Sequence, residues 1–215
     1  RSEVVRIYLA IIAATTVTIA ISLFTNDNYS SFGEALRHSL FQVTSLISTT
    51  GFATANTNIW TPLAILLLIF VSIICACAGS TSGGMKVDRL LLFTKLLRAK
   101  IRQQQHPNAI IRIRIDGVTQ EREQSHTVVL FIVTYLFIIL LASVVNMLFG
   151  QDLLTGISSA ISCIGNVGPA FGELGSADSF ADVPAILKLQ DSLLMLMGRL
   201  EIFGFIQLLF IKWWR

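Results

Sequence analysis

Two short stretches of this chain are small, polar and glycine-centred: Ser48-Thr49-Thr50-Gly51-Phe52-Ala53-Thr54 and Gly165-Asn166-Val167-Gly168-Pro169. Neither offers a nucleophile with a base and an acid beside it, and neither has the spacing of a metal-ligand cluster. What they offer is backbone. Bare carbonyls in lipid are costly, so irregular backbone at membrane depth is tolerated only where it is buried in protein or lines a water-filled path. A ring of carbonyls along such a path can replace the water that a cation sheds. On this reading Thr49, Thr50, Gly51 and Phe52 belong to one wall of a cation filter. Gly165, Asn166, Val167, Gly168 and Pro169 belong to another. The alternative is an ordinary loop on the outside.

Such a filter requires a membrane, and the composition supplies one. Of 215 residues, 53% are hydrophobic and 13% charged, against roughly 25% charged in a soluble domain. The mean hydropathy is +0.71. The apolar residues come in runs of about twenty, the length that crosses a bilayer as a helix. The chain is an all-α integral membrane protein by this reasoning. The net charge of +3 comes from basic residues clustered in loops beside spans, so no nucleic-acid partner is expected. Cys75 and Cys77 fall in an apolar helix and Cys163 in the second glycine stretch; they suit small apolar fillers better than a zinc site.

Helices have to hold the two stretches in place. Ile7 to Phe24 is a span leaving the cytosol at Arg6, too long for a signal peptide and without a cleavage pattern. Phe32 to Ile47 is too short and too polar to cross. It is expected as a half-helix, with Ser31 as N-cap and Glu34 three residues on. His38 sits on its loop side, and Trp60 suits an interfacial anchor. Leu63 to Ala78 is apolar but short, and is broken by Gly79-Ser80-Thr81-Ser82-Gly83-Gly84 ahead of Lys86. This is not a phosphate loop: Met85 displaces the lysine, Val87 stands where Ser or Thr is needed, and no strand precedes it. Either it is a cytosolic turn or it is an unwound stretch inside the membrane, the pattern of broken transporter helices.

Val87 to Gln105 is amphipathic, with Arg89, Lys95, Arg98, Lys100 and Arg102 on its polar face. Ile110 to Ile115 alternates apolar and basic residues before Asp116-Gly117, as a hairpin arm does. The whole basic loop is cytosolic by the positive-inside rule. Val128 to Phe149 is a second full span. Gln151 to Ile161 is another short segment. Glu173, Asp178 and Asp182 mark an outside loop that can gather cations near a pore mouth. Ala185 to Trp214 is expected as one long helix closing on Lys212-Trp213-Trp214-Arg215.

Span, half-helix, glycine loop and span thus occur twice, both times starting on the basic side. The division is residues 1–105, a basic cytosolic loop over 106–125, and a second repeat over 126–215. Repeats of one orientation suggest rotation about an axis along the membrane normal, with the glycine loops meeting there. The fold is then tandem span–pore-helix–filter-loop–span repeats around a central ion pore, as in potassium channels. Two units make two walls where such a pore needs four. The chain opens on Arg1, and two more repeats before it, or a second chain, are expected.

Four motifs in order carry a resemblance: Ser48 to Thr54, Ala78 to Lys86, Gly165 to Pro169, and Gly198-Arg199-Leu200-Glu201-Ile202. Together they resemble the Trk/Ktr/HKT potassium transporters, most closely the bacterial TrkH-type subunit, over the third and fourth of that family's four repeats. The resemblance implies potassium as the transported ion, held through Thr50, Gly51, Val167 and Gly168, with no organic cofactor. It implies a gating loop beneath the filter, made of Gly79, Ser80, Thr81, Ser82, Gly83, Gly84 and Lys86. It also implies membrane lipid around the chain, a homodimer, a cytosolic nucleotide-binding regulatory ring docked on the basic face, and a multi-pass place in the bacterial cytoplasmic (inner) membrane.

Arg199 and Glu201 fall mid-span in the last helix, where ionised groups are costly and face the protein interior. Residues two apart point to different faces, so a mutual pair is awkward. Arg199 is expected to reach carbonyls of the gating loop or a partner acid, and to act in the gate. Two functions of other classes remain. One is a non-conducting membrane module that anchors or assembles other proteins. The other is a transporter of an organic substrate bound at the broken helix.

Overall fold

A computed structural model describes residues 2–77, 79–80, 82–106 and 112–209. Thr81 of the expected gate, Ile110 and Ile111 of the expected hairpin arm, and the Lys212 to Arg215 end lie outside the described residues.

The first apolar run forms α1 (Glu3–Thr25). It stops at Asn26-Asp27, where Asp27 takes a φ of 54°. α2 (Phe32–Ile47) occupies the span expected of a half-helix. Its N-cap residue is Ser31, but the Ser31 side chain makes no capping hydrogen bond, so the expected cap is positional only. α3 (Pro62–Ile74) starts with proline in its first turn and with Thr61 accepting from the Ala64 N–H. Both are ordinary start signals. It ends four residues earlier than the apolar run, so Cys75 is its cap and Cys77 lies beyond it rather than inside a helix. After an irregular segment the chain resumes as α4 (Val87–Gln105). A two-residue hairpin comes next, β1 (Arg114–Ile115) against β2 (Val118–Thr119), turning on Asp116-Gly117.

The second half repeats the plan with α5 (Arg122–Leu148) and α6 (Leu153–Gly165), the latter capped by Asp152. The last apolar run is not one helix. α7 (Ala185–Arg199) ends at Leu200, Glu201 takes a φ of 56°, and α8 (Ile202–Leu209) begins.

α1 and α5 are the two helices long and apolar enough to cross a membrane among the described residues. At most a third of each apolar window is buried, 28% and 33%. Val17 and Ile21 of α1, and Leu136, Leu140 and Val144 of α5, point outward. A soluble protein does not leave such stripes to water, so these faces belong against lipid.

α2 packs between α1 and α3, α6 between α5 and α7, and α3 meets α6 across the two halves. Each half has its own core, and each core borrows from the other. Val167 and Phe171 join the first, with Leu23, Val43, Leu46 and Leu68. Met85 joins the second, with Phe131, Tyr135, Ile164 and Ile202. Trp60 belongs to the first core at 4% exposure, its indole N–H donating to the Tyr29 hydroxyl at 3.2 Å. It is a buried packing residue of this core.

Candidate functional site

The two half-helices end almost together, and their last turns build the site. A shift of 117 residues carries Ser45 to Ser162, Thr49 to Asn166 and Gly51 to Gly168. The backbone obeys the same shift. Thr49 has φ 55° and Asn166 has φ 54°, while Gly51 and Gly168 stand at 78° and 122°. The Thr50 N–H donates to the Ser45 carbonyl at 2.8 Å, and the Val167 N–H donates to the Ser162 carbonyl at 3.0 Å. These bonds satisfy the end carbonyls of α2 and α6 and turn each chain sharply off its helix.

The hydroxyls of the same serines fasten the backbone that leaves each helix. Ser45 Oγ donates to the Phe52 carbonyl at 2.6 Å, and Ser162 Oγ accepts from the Gly168 N–H at 3.1 Å. The expectations from sequence did not include these serines. Their signal was present in the shared spacing Ser45-x5-Gly51 and Ser162-x5-Gly168.

Gly51 and Gly168 then meet. A Cβ on Gly51 would fall 2.4 Å from the Val167 carbonyl oxygen, and one on Gly168 would fall 3.4 Å from the Gly51 Cα. Positive φ and backbone-to-backbone approach both demand glycine here. Two stretches 117 residues apart in sequence thus bring bare backbone side by side, just beyond the C-terminal ends of two half-helices. Those ends carry partial negative charge, which favours a cation.

Not every expected residue joins this contact. Gly165 lies in the last turn of α6, since that helix runs past Ser162 and takes in Cys163. Asn166 turns its side chain away, donating from Nδ2 to the Met195 carbonyl of α7 at 3.1 Å. The Phe52 ring projects outward at 70% exposure, and its carbonyl is engaged by Ser45. Thr50 Oγ1 pairs with Ser48 Oγ at 2.7 Å. The Pro169 ring lies against Gly51.

Directly behind the second half-helix runs the broken segment between α3 and α4. It folds back on its own helix: Met85, Lys86 and Val87 donate their N–H groups to the carbonyls of Ile73, Ile74 and Ala76. Gly83 packs on the end of α6, where a Cβ would fall 2.8 Å from both the Ile164 and Gly165 carbonyl oxygens. Gly198 presses on the same Ile164 carbonyl, with a Cβ position 1.9 Å away. Gly84 sits on the Cys75 side chain, Ser80 Oγ and Ser82 Oγ pair at 2.6 Å, and Gly79 meets nothing. A segment so packed against a half-helix is no plain surface turn.

Arg199 is the last residue of α7 and is exposed. Glu201 pairs with two cations of the first half. Its carboxylate takes Lys86 Nζ at 2.9 Å and an Arg89 guanidinium nitrogen at 3.0 Å. His38 stacks on Tyr29 and bonds Thr54 Oγ1 at 3.1 Å through Nδ1, a loop-side role.

The loops that follow the two glycine turns clasp each other. Ser176 Oγ donates to the Ala55 carbonyl at 3.0 Å, and Asn58 Nδ2 reaches Asp178 at 3.0 Å. A recess of about 450 Å³ beside them is lined by Asn58, Asp152, Thr155, Glu173 and Asp178. Three carboxylates, Asp152, Glu173 and Asp178, thus stand around this recess. Among the described residues no group of His, Cys, Asp or Glu has the geometry of a resident metal site.

The sequence matches the TrkH family of cation transport proteins over residues 3–213. It is 33% identical to the Trk system potassium uptake protein TrkH of Halomonas elongata over 211 residues, 98% of this chain and 43% of that protein. It is 34% identical to the TrkH of Vibrio parahaemolyticus over 193 residues, 90% of this chain and 39% of that protein. The crystal structure of the potassium transporter TrkH from Vibrio parahaemolyticus superimposes with a TM-score of 0.89 at 32% identity. That match covers 100% of this chain and 45% of that one. The chain therefore spans less than half the length of these relatives.

Proposed function

The chain belongs to the TrkH family of cation transport proteins, and on that footing we propose that it forms two walls of a gated potassium uptake pore. The observation that carries the proposal is the contact of Gly51 and Gly168 backbone beside the ends of α2 and α6. Potassium is the proposed cargo, by analogy with the potassium uptake named for the relatives. Thr50, Gly51, Val167 and Gly168 line its path with carbonyls, and Thr49 and Asn166 set the turns that aim them. The field of the two half-helix ends and of the acidic outer mouth offsets the lost hydration.

The proposed division is a repeat over 1–105, a cytosolic loop over 106–125 and a repeat over 126–215. The other two walls come from two further repeats, in the same protein or in a second chain. The gate is the segment Gly79 to Lys86 with Arg199 beside it. A homodimer in the bacterial inner membrane, with a cytosolic nucleotide-binding ring on the basic face, completes the arrangement. The competing role is a membrane module that anchors other proteins and conducts nothing.

The test is rubidium uptake in a bacterium lacking its own potassium uptake. The intact protein is compared with a deletion of residues 79–84 and with empty cells. Uptake above empty cells, raised further by the deletion, is expected. Uptake equal to that of empty cells in both cases overturns the pore and favours the anchoring role.

A further inference from the structure

α4 and α8 each resume a broken helix, and the residue before each has a positive φ: Lys86 at 66° and Glu201 at 56°. These two residues, 115 positions apart, meet at 2.9 Å. Arg89, one turn into α4, takes the other oxygen of the Glu201 carboxylate at 3.0 Å. The Arg89 guanidinium also lies 3.8 Å from the centre of the Phe131 ring on α5. The two cations are well shielded, with side-chain exposures of 11% and 17%, while the Glu201 carboxylate is 48% exposed. A shielded charge left without its partner is expensive, whereas an exposed pair is worth little.

The place of this pair gives it a task. Lys86 is where the irregular segment closes on the foot of α3, its N–H donating to the Ile74 carbonyl at 2.8 Å. Three residues before Lys86, Gly83 rests on the end of α6. Three residues before Glu201, Gly198 rests on the same end from α7. The last carbonyls of the second half-helix are thus held between two close backbone contacts. The ion pair locks the feet of both contacts together beneath them.

We infer that Glu201 is a positioning residue for the gate, holding the segment Gly79 to Lys86 closed through Lys86 and Arg89. This rests on the reading of that segment as the gate. When the segment swings away, Lys86 is drawn off Glu201, which stays anchored to Arg89 of α4, so the Lys86 contact biases the segment toward its packed position. Loss of the carboxylate charge shifts the balance toward the open segment and leaves the filter unchanged.

The experiment is rubidium uptake per transporter, normalised to protein in the membrane, with the rubidium-to-sodium ratio as the filter readout. Glu201→Gln is expected to raise uptake by about three-fold or more at an unchanged ratio. Lys86→Met is expected to do the same, and the double variant to add little, as residues sharing one interaction behave. Glu201→Asp keeps the charge and is expected to stay near the parent. A second readout is maleimide labelling of Cys77, which is partly exposed two residues before the segment while Cys75 and Cys163 are buried. Labelling should quicken in Glu201→Gln.

Parent-like uptake and labelling in Glu201→Gln overturn the inference, and so does a rise that comes with lost selectivity. If Glu201→Gln does not reach the membrane, Lys86→Met decides in the same way. A parent protein that carries no rubidium removes the pore and this inference together. A conducting parent with an inert Glu201 removes this inference alone.

Discussion

At the level of single residues, glycines here are fixed by what stands opposite them. Gly198 faces the Ile164 carbonyl with no space for a methyl group. Gly198→Ala forces the last helix off α6, and about 2 kcal/mol or more is expected to be lost, as in other overpacked contacts. The measurement is thermal unfolding in detergent. Gly79 meets nothing although its φ is 81°, so Gly79→Ala should cost only the left-handed backbone, about 1 kcal/mol, and should insert and assemble normally. Asp116 gives a pH dependence. Its carboxylate accepts from the Ser2 hydroxyl and the Glu3 N–H, and these bonds hold it below its ordinary value of 3.8. A depressed acid stabilises above its ordinary value and releases that stability as pH falls through the lowered one. Hydrogen-exchange protection at the hairpin and the start of α1, corrected for the intrinsic pH dependence of amide exchange, should therefore be constant between about pH 5 and 8 and fall only below about pH 4.

Among the elements, the half-helices matter more than the spans. Ser45 and Ser162 tie the chain that leaves each half-helix back onto it. Replacing either with alanine removes one hydrogen bond, about 1 kcal/mol, from the backbone that would line the path. Ser45→Ala and Ser162→Ala are each expected to widen cation selectivity a few-fold while leaving membrane abundance alone, as read by rubidium uptake under sodium competition. The bounds of α2 and α4 were legible because polar loops or glycines flank clear periodic runs. The break of the last helix was not legible. Leu200-Glu201-Ile202 contains neither glycine nor proline. The positive φ at Glu201 goes with Lys86 and Arg89 at the start of α4 and with Gly198 seated on α6, tertiary partners that no local pattern announces. The end of α6 departs from its expected place for a related reason. Gly165 looks like a helix stop, yet it continues the helix where Gly83 and Cys75 press against it.

In the molecule as a whole, two similar halves are joined through their glycine turns, the loops that follow them and the two ion pairs of Glu201 at the broken helices. The pairing of Gly51 with Gly168 was legible in outline, because a repeat in one orientation brings equivalent loops to one axis. Which atoms meet was not legible, since it depends on the turns at Thr49 and Asn166. The outward stripes on α1 and α5 face lipid, and the bare backbone of the two glycine turns meets between the halves. If this backbone selects the ion, the rubidium-to-sodium uptake ratio of the intact protein must differ from that of Gly51→Ser and Gly168→Ser. A Cβ on Gly51 would strike the Val167 carbonyl, so the ratio is expected to fall about ten-fold or more for that variant, with a smaller fall for Gly168→Ser. Conducting variants whose ratio matches the parent would contradict selection by this backbone, and would return both glycine stretches to the rank of ordinary loops.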